Sequence, residues 1–486
     1  MSEELKSRTL SALIWSFFES FGRQGIRFVV SIILARLLLP EEFGLIAMLA
    51  IFIAVAESFI NSGFGQALIQ KQDAIHIDEC SIFYFNIFVG MIASGLLCLV
   101  APWIAAFYKQ PQLKILTCVL SLNLTINAFG LVQTTLLTKS IDFKTLLKVS
   151  VIATVISGTI GVAMALNGFG VWSLVTQSIS SNLIRTVLLW FFNHWRPSLI
   201  FSFSSLRSMF AFGSRLLASG LLHTIYQNIY LLVIGKIYSP VALGFYSRAM
   251  KLQQLPVNNI SDIVGRVTFP VFSSVQNDKS RLKRGVRKAL VMLMMINFPI
   301  MVGLAIVAKP LILVLLTEKW APCTPYLQLL CVVGMIYPLH LINLNVLNAQ
   351  GRSDLFFRLE LLKRILVVIA IIITYRWGII AMIYGQIAIS SFSYYLNSYY
   401  TGKMLDYPLT EQIKDFIPSL ALVGTMGLGV FALKYIIIGN QLTLLVAQIS
   451  TGIVLYIGIC YLFRVSIFME VIKMIKSKLR NFSFAS

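Results

Sequence analysis

Long apolar runs separated by short polar connections organise the whole sequence. Windows of about 17 to 25 mainly apolar residues are long enough to cross the hydrocarbon core of a bilayer as an α-helix. About fourteen such windows occur, which predicts an all-α integral membrane protein with about fourteen transmembrane helices. The predicted spans lie near residues 11–37, 43–63, 82–107, 113–137, 146–167, 170–193, 209–236, 241–270, 286–307, 323–347, 356–375, 378–401, 412–436 and 442–463.

The composition excludes several other classes of protein. The 486 residues are 58% hydrophobic and only 12% charged, with a mean hydropathy of +0.83. A net charge of +21 would suit a nucleic-acid partner, but no basic soluble domain remains outside the apolar runs. The six cysteines form no CxxC pair, which indicates packing thiols and no metal site. The first apolar run is too long for a cleaved signal peptide, so we expect it to stay as a span.

The placement of basic residues predicts the orientation of the helices. With an even number of spans both termini lie on one side, and the connections on that side carry most of the Lys and Arg, including "KSRLKRGVRK" at 279–288. The positive-inside rule then places both termini in the cytoplasm. The aromatic residues predicted at the outer membrane interface are Trp103, Trp172, Trp320 and Trp377.

A sequence repeat relates the two halves of the chain. "ARLLLPEEFGL" at 35–45 and "GKIYSPVALGF" at 235–245 align without a gap, which pairs Pro40 with Pro240 and Gly44 with Gly244. We interpret these four positions as a repeated hinge or turn. Further echoes pair Gly65 with Gly265, and "NGFGVWSLVTQ" with "YRWGIIAMIYGQ". A unit of six spans enters the membrane in the same orientation twice, so a parallel duplication is expected.

This repeat predicts four parts of the chain. Two six-helix lobes cover residues 1–200 and 201–405, and two appended transmembrane helices cover 406–463. The tail at 464–486 has apolar residues at helical spacing beside a lysine-rich face, which predicts an amphipathic helix on the cytoplasmic leaflet. A solvated basic tail is the alternative.

Polar stripes run along several of the apolar helices. In "FFESFGRQGIRFVVSIILARLL", Glu19, Arg23 and Arg27 recur every four residues and therefore share one helix face. A central arginine costs roughly 2.5 to 3.5 kcal/mol on insertion scales, so such a face should contact protein or a watery cavity. We predict a cationic central cavity between the lobes. The alternative is that Glu19 pairs with Arg23 along the helix and that other arginines reach the headgroups.

The cations on these stripes are the candidate substrate-binding residues. A positively charged cavity selects an anion, and guanidinium groups offer paired donors that suit phosphate. A diphosphate headgroup fits this description. The candidate cations are Arg23, Arg27, Arg215, Arg248, Lys251 and Arg266, of which Arg215, Arg248 and Arg266 are also those that could extend to the headgroups.

Uncharged and acidic residues complete the predicted cavity wall. Glu57 is either a counter-ion to an arginine or a site for a coupling proton or sodium ion, and His223 is interpreted as a hydrogen-bonded wall residue. Apart from such an ion we expect no cofactor and no metal. The candidate polar and ion-coupling residues are Glu19, Glu57, Asn61, His223, Tyr226, Asn258 and Asp262.

The paired "RLLLPEEFG" and "KIYSPVALG" segments, with the basic first helix and the fourteen spans, carry a family resemblance. The sequence resembles the polysaccharide flippases of the multidrug/oligosaccharidyl-lipid/polysaccharide exporter superfamily, in the branch of lipopolysaccharide, colanic acid or teichuronic acid exporters. The resemblance implies a V-shaped pair of lobes in the bacterial inner membrane. It also implies that alternating access moves an undecaprenyl-diphosphate-linked oligosaccharide to the periplasmic leaflet. The positions matching the cavity arginines of such flippases are Arg23, Arg27, Arg215 and Arg248.

Two other functions remain as alternatives. A cation-coupled multidrug or metabolite antiporter has the same architecture, but it typically needs intramembrane acids, which are outnumbered here by basic residues. A membrane polymerase or glycosyltransferase is disfavoured because no long loop and no P-loop, HExxH or GxSxG motif is present, so we expect no enzyme activity. The expected partners are the lipid-linked oligosaccharide, membrane lipids, a polysaccharide polymerase and assembly proteins, around a monomeric transporter that binds no nucleic acid.

Overall fold

The computed structural model of the chain describes residues 22–60, 63–71, 73–437, 439–470 and 472–473. The predicted site residues Glu19 and Asn61 lie outside these ranges. The helices that carry Arg215 and Arg266 are described, but the side chains at 211, 212, 215 and 266 are not. Of the predicted tail helix, 466–470 and 472–473 are helical, and most of the rest lies outside the described residues.

Helices make up all of the regular structure in the described part of the chain. The first described helix, α1, covers 22–37 and is followed by α2 (Pro40–Ile60), α3 (Phe64–Gln70), α4 (His76–Tyr108), α5 (Gln112–Lys139), α6 (Phe143–Leu166), α7 (Val171–Phe192), α8 (Phe203–Ile237), α9 (Pro240–Ser274), α10 (Lys279–Leu316), α11 (Cys323–Ala349), α12 (Ser353–Thr374), α13 (Ile379–Leu405), α14 (Leu409–Ile436) and α15 (Gln441–Leu462). Short 3₁₀ turns at Glu318–Trp320 and Tyr375–Trp377 precede α11 and α13.

The all-α membrane architecture is confirmed. Within the described residues each predicted span coincides with one long helix, the first of them only from residue 22 onward, whereas the short α3 was not predicted. Ten helical segments of the described chain are long and apolar enough to cross a membrane, with α2 and α3 taken together. The other long helices, α1, α7, α9 and α12, are not among those ten, so the number of fourteen spans stays a prediction.

A glycine in a left-handed conformation begins the short helix α3. Gly63 has a φ of 78°, in the left-handed region that favours glycine, and it stands directly before α3. The matching helix of the second repeat, α9, runs without interruption from Pro240 to Ser274. Gly65 and Gly265 therefore occupy different local structures, the start of a short helix and the interior of a long one.

The chain forms two compact units, Met1–Ser247 and Arg248–Ser486, with the division inside α9. In the first unit α4 packs on α5, α6 on α7, and α2 on α8. In the second, α11 packs on α10 and α13, and α14 packs on α10 and α15. The predicted lobe boundaries at 200 and 405 stay a prediction.

The appended helices share the core of the second unit. Leu290 and Met294 of α10 belong to the same buried apolar cluster as Val423 and Met426 of α14 and Leu445 of α15. Arg287 of α10, in the basic "KSRLKRGVRK" cluster, also pairs with α14. The ion pairs between this cluster and the chain beyond α13 are Lys279–Asp406 (2.6 Å), Lys283–Glu411 (2.8 Å), Arg287–Asp415 (2.5 Å) and Lys288–Glu470.

Candidate functional site: duplicated corners and polar helix faces

Two corners between helices in the first unit have the same backbone conformation. The corners join α1 to α2 and α8 to α9, each through two residues and each with proline at the first position of the second helix. The last turns also match, since Leu38 N donates to Leu34 O at 2.8 Å and Tyr238 N donates to Ile234 O at 2.9 Å. The sequence repeat is therefore a repeat of local structure.

The two corners cross each other closely and reciprocally. A Cβ built on Gly44 would lie 2.5 Å from the carbonyl carbon of Pro240, and nearer still to its oxygen. A Cβ built on Gly244 would lie 2.8 Å from the carbonyl carbon of Pro40. Because the obstacle on each side is backbone, neither glycine can be replaced without separating the helices. The four positions paired by sequence form one structural contact.

Below this crossing, α2 and α8 run antiparallel along most of their length. Near the corner a Cβ on Gly235 would lie 3.1 Å from Cγ of Met48. Farther along, Ser58 Oγ and Thr224 Oγ1 lie 3.1 Å apart in a hydrogen bond. At the far end the Gly63 position approaches α8 closely. The helices α2 and α8 are therefore neighbours within the first unit.

Predicted polar residues flank the hydrogen bond between α2 and α8. Glu57 precedes Ser58, is half-buried, and has no ion-pair partner among the residues that the structure describes. His223 precedes Thr224, is exposed, and lies 2.8 Å through Nε2 from the side-chain amide of Gln227. Tyr226 is half-buried on the same helix.

The first helix presents its cations near α6. Arg23 is half-buried and Arg27 is exposed, and both have interaction partners. One turn after Arg27, Val30 packs against Gly158 of α6, where an added Cβ would lie 2.6 Å from Val30 Cγ2. The described part of α1 thus has an apolar side against α6 and carries the predicted basic side chains at accessible positions.

In the second unit, α9 has one polar, accessible face. Lys251, Asn258 and Asp262 are all exposed, and their spacing of seven and four residues places them on one side of the helix. The opposite side is buried, with Val257 against Gly334 of α11, where an added Cβ would lie 3.0 Å away. This face is the clearest polar stripe in the described chain.

Arg248 differs from the other predicted cations because it is buried. It is only 5% exposed, and its guanidinium carbon lies 5.5 Å from the ring centre of Trp320 in a cation–π arrangement. Trp320 is itself fully buried, so its ring packs against protein, and its place at the outer membrane interface stays a prediction. Trp103 and Trp377, from the same prediction, are 69% and 72% exposed. Sequence alone did not show that the 3₁₀ turn folds Trp320 back onto α9.

A second polar cluster was missed by the sequence analysis. It centres on His340 of α11, which contacts Ser390 and Asn397 of α13. These residues lie in helices whose polar positions, among them Asn343 of α11 and Ser393 of α13, are scattered between apolar ones. The only sequence signal was the recurrence of polar residues at helical spacing after His340, at Asn343.

Comparison with known sequences places these features in a family. The family described as "Polysaccharide biosynthesis protein" matches residues 33–325, more than half of the chain. The chain is 28% identical over 418 residues to the teichuronic acid biosynthesis protein TuaB of Bacillus subtilis (strain 168), covering 84% of this chain and 85% of TuaB. It is also 28% identical over 375 residues to the lipopolysaccharide biosynthesis protein WzxC of Escherichia coli (strain K12), covering 76% and 75%.

Solved structures share the fold at low sequence identity. The lipid II flippase MurJ, in an inward closed conformation, superposes with a TM-score of 0.75 at 14% identity, over 93% of this chain and 98% of MurJ. An inward-facing multidrug resistance MATE family transporter gives a TM-score of 0.63 at 14% identity, over 78% of this chain and 95% of the transporter. With a family match that spans more than half of its residues, this multi-pass membrane protein belongs to the polysaccharide biosynthesis protein family.

Proposed function

We propose that this protein is a flippase for an undecaprenyl-diphosphate-linked oligosaccharide repeat unit in the synthesis of a surface polysaccharide. It would move the lipid from the cytoplasmic to the periplasmic leaflet of the bacterial inner membrane by alternating access. Support comes from the family membership, from the names of TuaB and WzxC, and from the fold shared with MurJ. The observation that carries the proposal is the accessible polar face of α9, headed by the cation Lys251.

The proposed chemistry is binding without bond cleavage. Lys251, Arg23 and Arg27 are cations at accessible or half-buried positions, where they would bind the two phosphates. Arg215 and Arg266 are proposed for the same role from their positions in α8 and α9. Each ammonium or guanidinium group would replace water around phosphate as the headgroup leaves the membrane surface.

The remaining predicted residues would serve recognition. Tyr226, His223 and Asn258 offer hydroxyl, imidazole and amide groups to sugar hydroxyls, and Asp262 an acceptor on the same face as Asn258. We propose Glu57 as the counter-ion to a cavity arginine, which keeps that side chain oriented before the lipid arrives.

Two positioning roles follow from the geometry. Arg248, held over the Trp320 ring, would orient α9 and not contact the lipid in this conformation. The crossing of Gly44 with Pro240 and of Gly244 with Pro40 would be the hinge or turn at which the repeats move.

The protein would act as a monomer with both termini in the cytoplasm and no enzyme activity. The polyprenyl tail would remain in the bilayer, and a polysaccharide polymerase with its assembly proteins would consume the flipped repeat unit. A cation-coupled multidrug or metabolite antiporter is the second candidate. It is favoured by the fold shared with the MATE transporter and by the half-buried carboxylate of Glu57.

Leaflet-resolved transport in proteoliposomes tests the proposal. The probe is a fluorescent undecaprenyl-diphosphate oligosaccharide, and the variants are Lys251→Ala, Arg27→Ala and the control Lys114→Ala, an exposed lysine in the first turn of α5. We expect the wild type and Lys114→Ala to move the probe, and the other two to bind and move it at least about tenfold less, since each loses a charged phosphate contact worth about 1.5–3 kcal/mol. Transport of cationic drugs and none of several lipid-linked glycans by the wild type would favour the antiporter.

A further inference from the structure

A buried polar cluster in the second unit lies apart from the proposed substrate residues. His340 stands near the middle of α11, inside a helix apolar enough to span a membrane. Its Nε2 lies 3.2 Å from Ser390 Oγ, and its Nδ1 lies 3.3 Å from the side-chain nitrogen of Asn397. Both partners belong to α13, so the imidazole bridges two helices. An ionisable group at this depth is costly to place and calls for a functional explanation.

The hydrogen bonds define the protonation state of His340. The amide nitrogen of Asn397 can only donate, so Nδ1 of His340 must be the acceptor. Nε2 then carries the single proton and donates it to Ser390, which makes the imidazole neutral. A second proton on Nδ1 would point at the amide hydrogens of Asn397 and would not fit this arrangement.

The side-chain oxygen of Asn397 is the acceptor that a protonated imidazole would require. The residue is fully buried, and its Oδ1 has no hydrogen-bond partner in the described structure. A buried amide oxygen without a donor is unfavourable. Reversal of the amide would bring this oxygen to Nδ1 of His340 and satisfy both atoms once the proton is bound. The cluster therefore has two hydrogen-bonding arrangements that differ by one proton.

The charged groups near His340 favour its neutral form while α11, α12 and α13 are closely packed. From α12, Lys363 is only 8% exposed, and its Nζ lies 2.8 Å from Glu360 Oε1. From α13, the Tyr394 ring meets the imidazole edge-on, with ring centres 5.9 Å apart. The carboxylate of Glu360 is thus already matched by an ammonium group. A charged His340 would add an unmatched positive charge beside the buried Lys363 and Asn397, which is unfavourable.

The remaining neighbours of this part of α11 add little charge. On α11 itself, Tyr337 lies one turn earlier and has Asp262 of α9 as an electrostatic neighbour. From α10, the neutral amide of Asn297 donates to the carbonyls of Gly334 and Met335, both at 3.0 Å. Entry of water between α11 and α13 is therefore the change that would favour protonation.

We propose that His340 is a proton-binding site that couples transport to a pH gradient. In the conformation described here it is neutral and ties α11 to α13. When the two helices separate and water enters, Nδ1 accepts a proton from hydronium, which becomes water, and no other covalent bond is made or broken. This inference rests on the proposed function, because it supplies the ion that drives the lipid movement.

The same cluster offers a route for transmitting the change. The Tyr394 hydroxyl donates to the side chain of Gln412 on α14, whose amide nitrogen donates to the carbonyl of Tyr407 at 3.1 Å. The Tyr407 hydroxyl in turn donates to Asp415 at 2.7 Å. Movement at His340 therefore reaches the ion pairs between α10 and α14 through side chains in contact.

The first test is accumulation of the fluorescent undecaprenyl-diphosphate oligosaccharide in proteoliposomes with an imposed pH gradient. Coupling to one proton should let the wild type shift the leaflet distribution of the probe about tenfold per pH unit. His340→Gln retains a neutral hydrogen-bonding side chain, so we expect it to exchange the probe without accumulating it. The control His194→Gln removes an exposed histidine and should behave as the wild type. Accumulation by His340→Gln, or exchange by the wild type without any response to pH, would overturn the proposal.

A second test does not depend on the proposed function. The chain has only 4 histidines, so the ¹⁵N imidazole signals of the protein in nanodiscs can be assigned by comparison with His340→Gln. Without any lipid-linked sugar, acid should favour the arrangement in which α11 and α13 separate and His340 is protonated, so the imidazolium share of the His340 signal should rise as the pH falls from about 8 to about 5. A signal that stays neutral throughout this range would refute the proton site. Titration of His340 in a protein that fails to move any glycan probe would instead leave the proton site and refute the flippase.

Discussion

The α1–α2 and α8–α9 corners have the same backbone conformation but are stabilised by different side-chain hydrogen bonds. At the first corner, the Glu42 carboxylate accepts from the backbone N–H of Leu39 at 2.6 Å. At the second, the Ser239 hydroxyl accepts from the backbone N–H of Ala242 at 3.2 Å. These are the two complementary bonds of a capping box, and each corner has one of them. The capping hydrogen bond therefore differs between the two corners, whereas the proline and the glycine of the crossing are present in both.

The surroundings of the two corners also differ in charge. Oε1 of Glu42 lies close to Gly170, before α7, where an added Cβ would clash with this oxygen and the carboxylate would have to move. At the second corner, Lys236 Nζ donates to the carbonyl of Phe107 at 2.5 Å and lies 4.3 Å from the ring centre of that residue. An acid thus connects the first corner to α7, and a base connects the second to α4.

Substitution of the crossing glycines should have the largest effect. Gly44→Ala and Gly244→Ala should each lower the free energy of unfolding by about 1–3 kcal/mol, because the new methyl group meets backbone and not a movable side chain. The double variant should lose less than the sum, since one substitution already separates the helices. Thermal unfolding in detergent measures this, with Gly95→Ala, which has no neighbour within 4 Å, as the control. Equal behaviour of Gly44→Ala and Gly95→Ala would contradict the crossing.

The glycines before α7 and α13 allow the cost of backbone strain to be distinguished from the cost of a steric contact. Gly170 has a φ of 54° and Gly378 a φ of 98°, so alanine at either position should cost more than about 1 kcal/mol. Only Gly170 also lies against a side chain, that of Glu42. Gly170→Ala should therefore be the more damaging of the two in the same unfolding assay. The order should disappear in a Glu42→Ala background, and an order that persists there would refute this explanation.

Loss of either cap should have a smaller effect, confined to its own corner. Ser239→Ala and Glu42→Ala should each cost roughly 0.5–2 kcal/mol, because one backbone N–H loses its side-chain acceptor. Hydrogen exchange at the first turns of α2 and α9 localises the change. We expect faster exchange in α9 for Ser239→Ala and in α2 for Glu42→Ala. Equal acceleration in both helices would mean that the corners do not cap independently.

Low pH should weaken the ion pairs between α10 and the chain beyond α13 but not the uncharged crossing of the corners. This is the smallest of the expected effects. The Lys279 ammonium holds the pKa of the Asp406 carboxyl below its ordinary value. A lowered folded pKa means that the pair stabilises the protein above the unfolded value of roughly 3.9, and that this contribution is lost as the pH falls below it. Exchange at the start of α14 should then rise at low pH, and Asp406→Asn should abolish that rise. An unchanged rise in the variant would exclude the pair as its cause.

The sequence supported the fold and the repeat better than it supported the site. Proline at a helix start and glycine four residues later constrain the backbone locally, so the corners were visible without tertiary information. The stripe of Lys251, Asn258 and Asp262 was visible for the same reason, because one helix carries all of it. The number of spans is harder to read from hydropathy, since helices such as α9 carry a polar face along much of their length.

Features that depend on contacts between distant helices could not be predicted. The sequence did not reveal the contact between Trp320 and Arg248, because the folded 3₁₀ turn is what brings the ring over that guanidinium group. His340 and Asn397 lie on two different helices, and their contact appears only when α11 packs on α13. The break before α3 depends on the positive φ of Gly63, which an apolar window does not reveal.

We propose that the duplicated corners form one crossing at which the repeats move during lipid transport. The most direct test is leaflet-resolved transport of the fluorescent undecaprenyl-diphosphate oligosaccharide by Gly44→Ala, Gly244→Ala, the double variant and Gly95→Ala, each at matched folded expression. We expect both single variants to slow transport to a similar degree, the double variant to be little worse than either, and Gly95→Ala to resemble the wild type. Transport at the wild-type rate by the double variant would contradict the proposal.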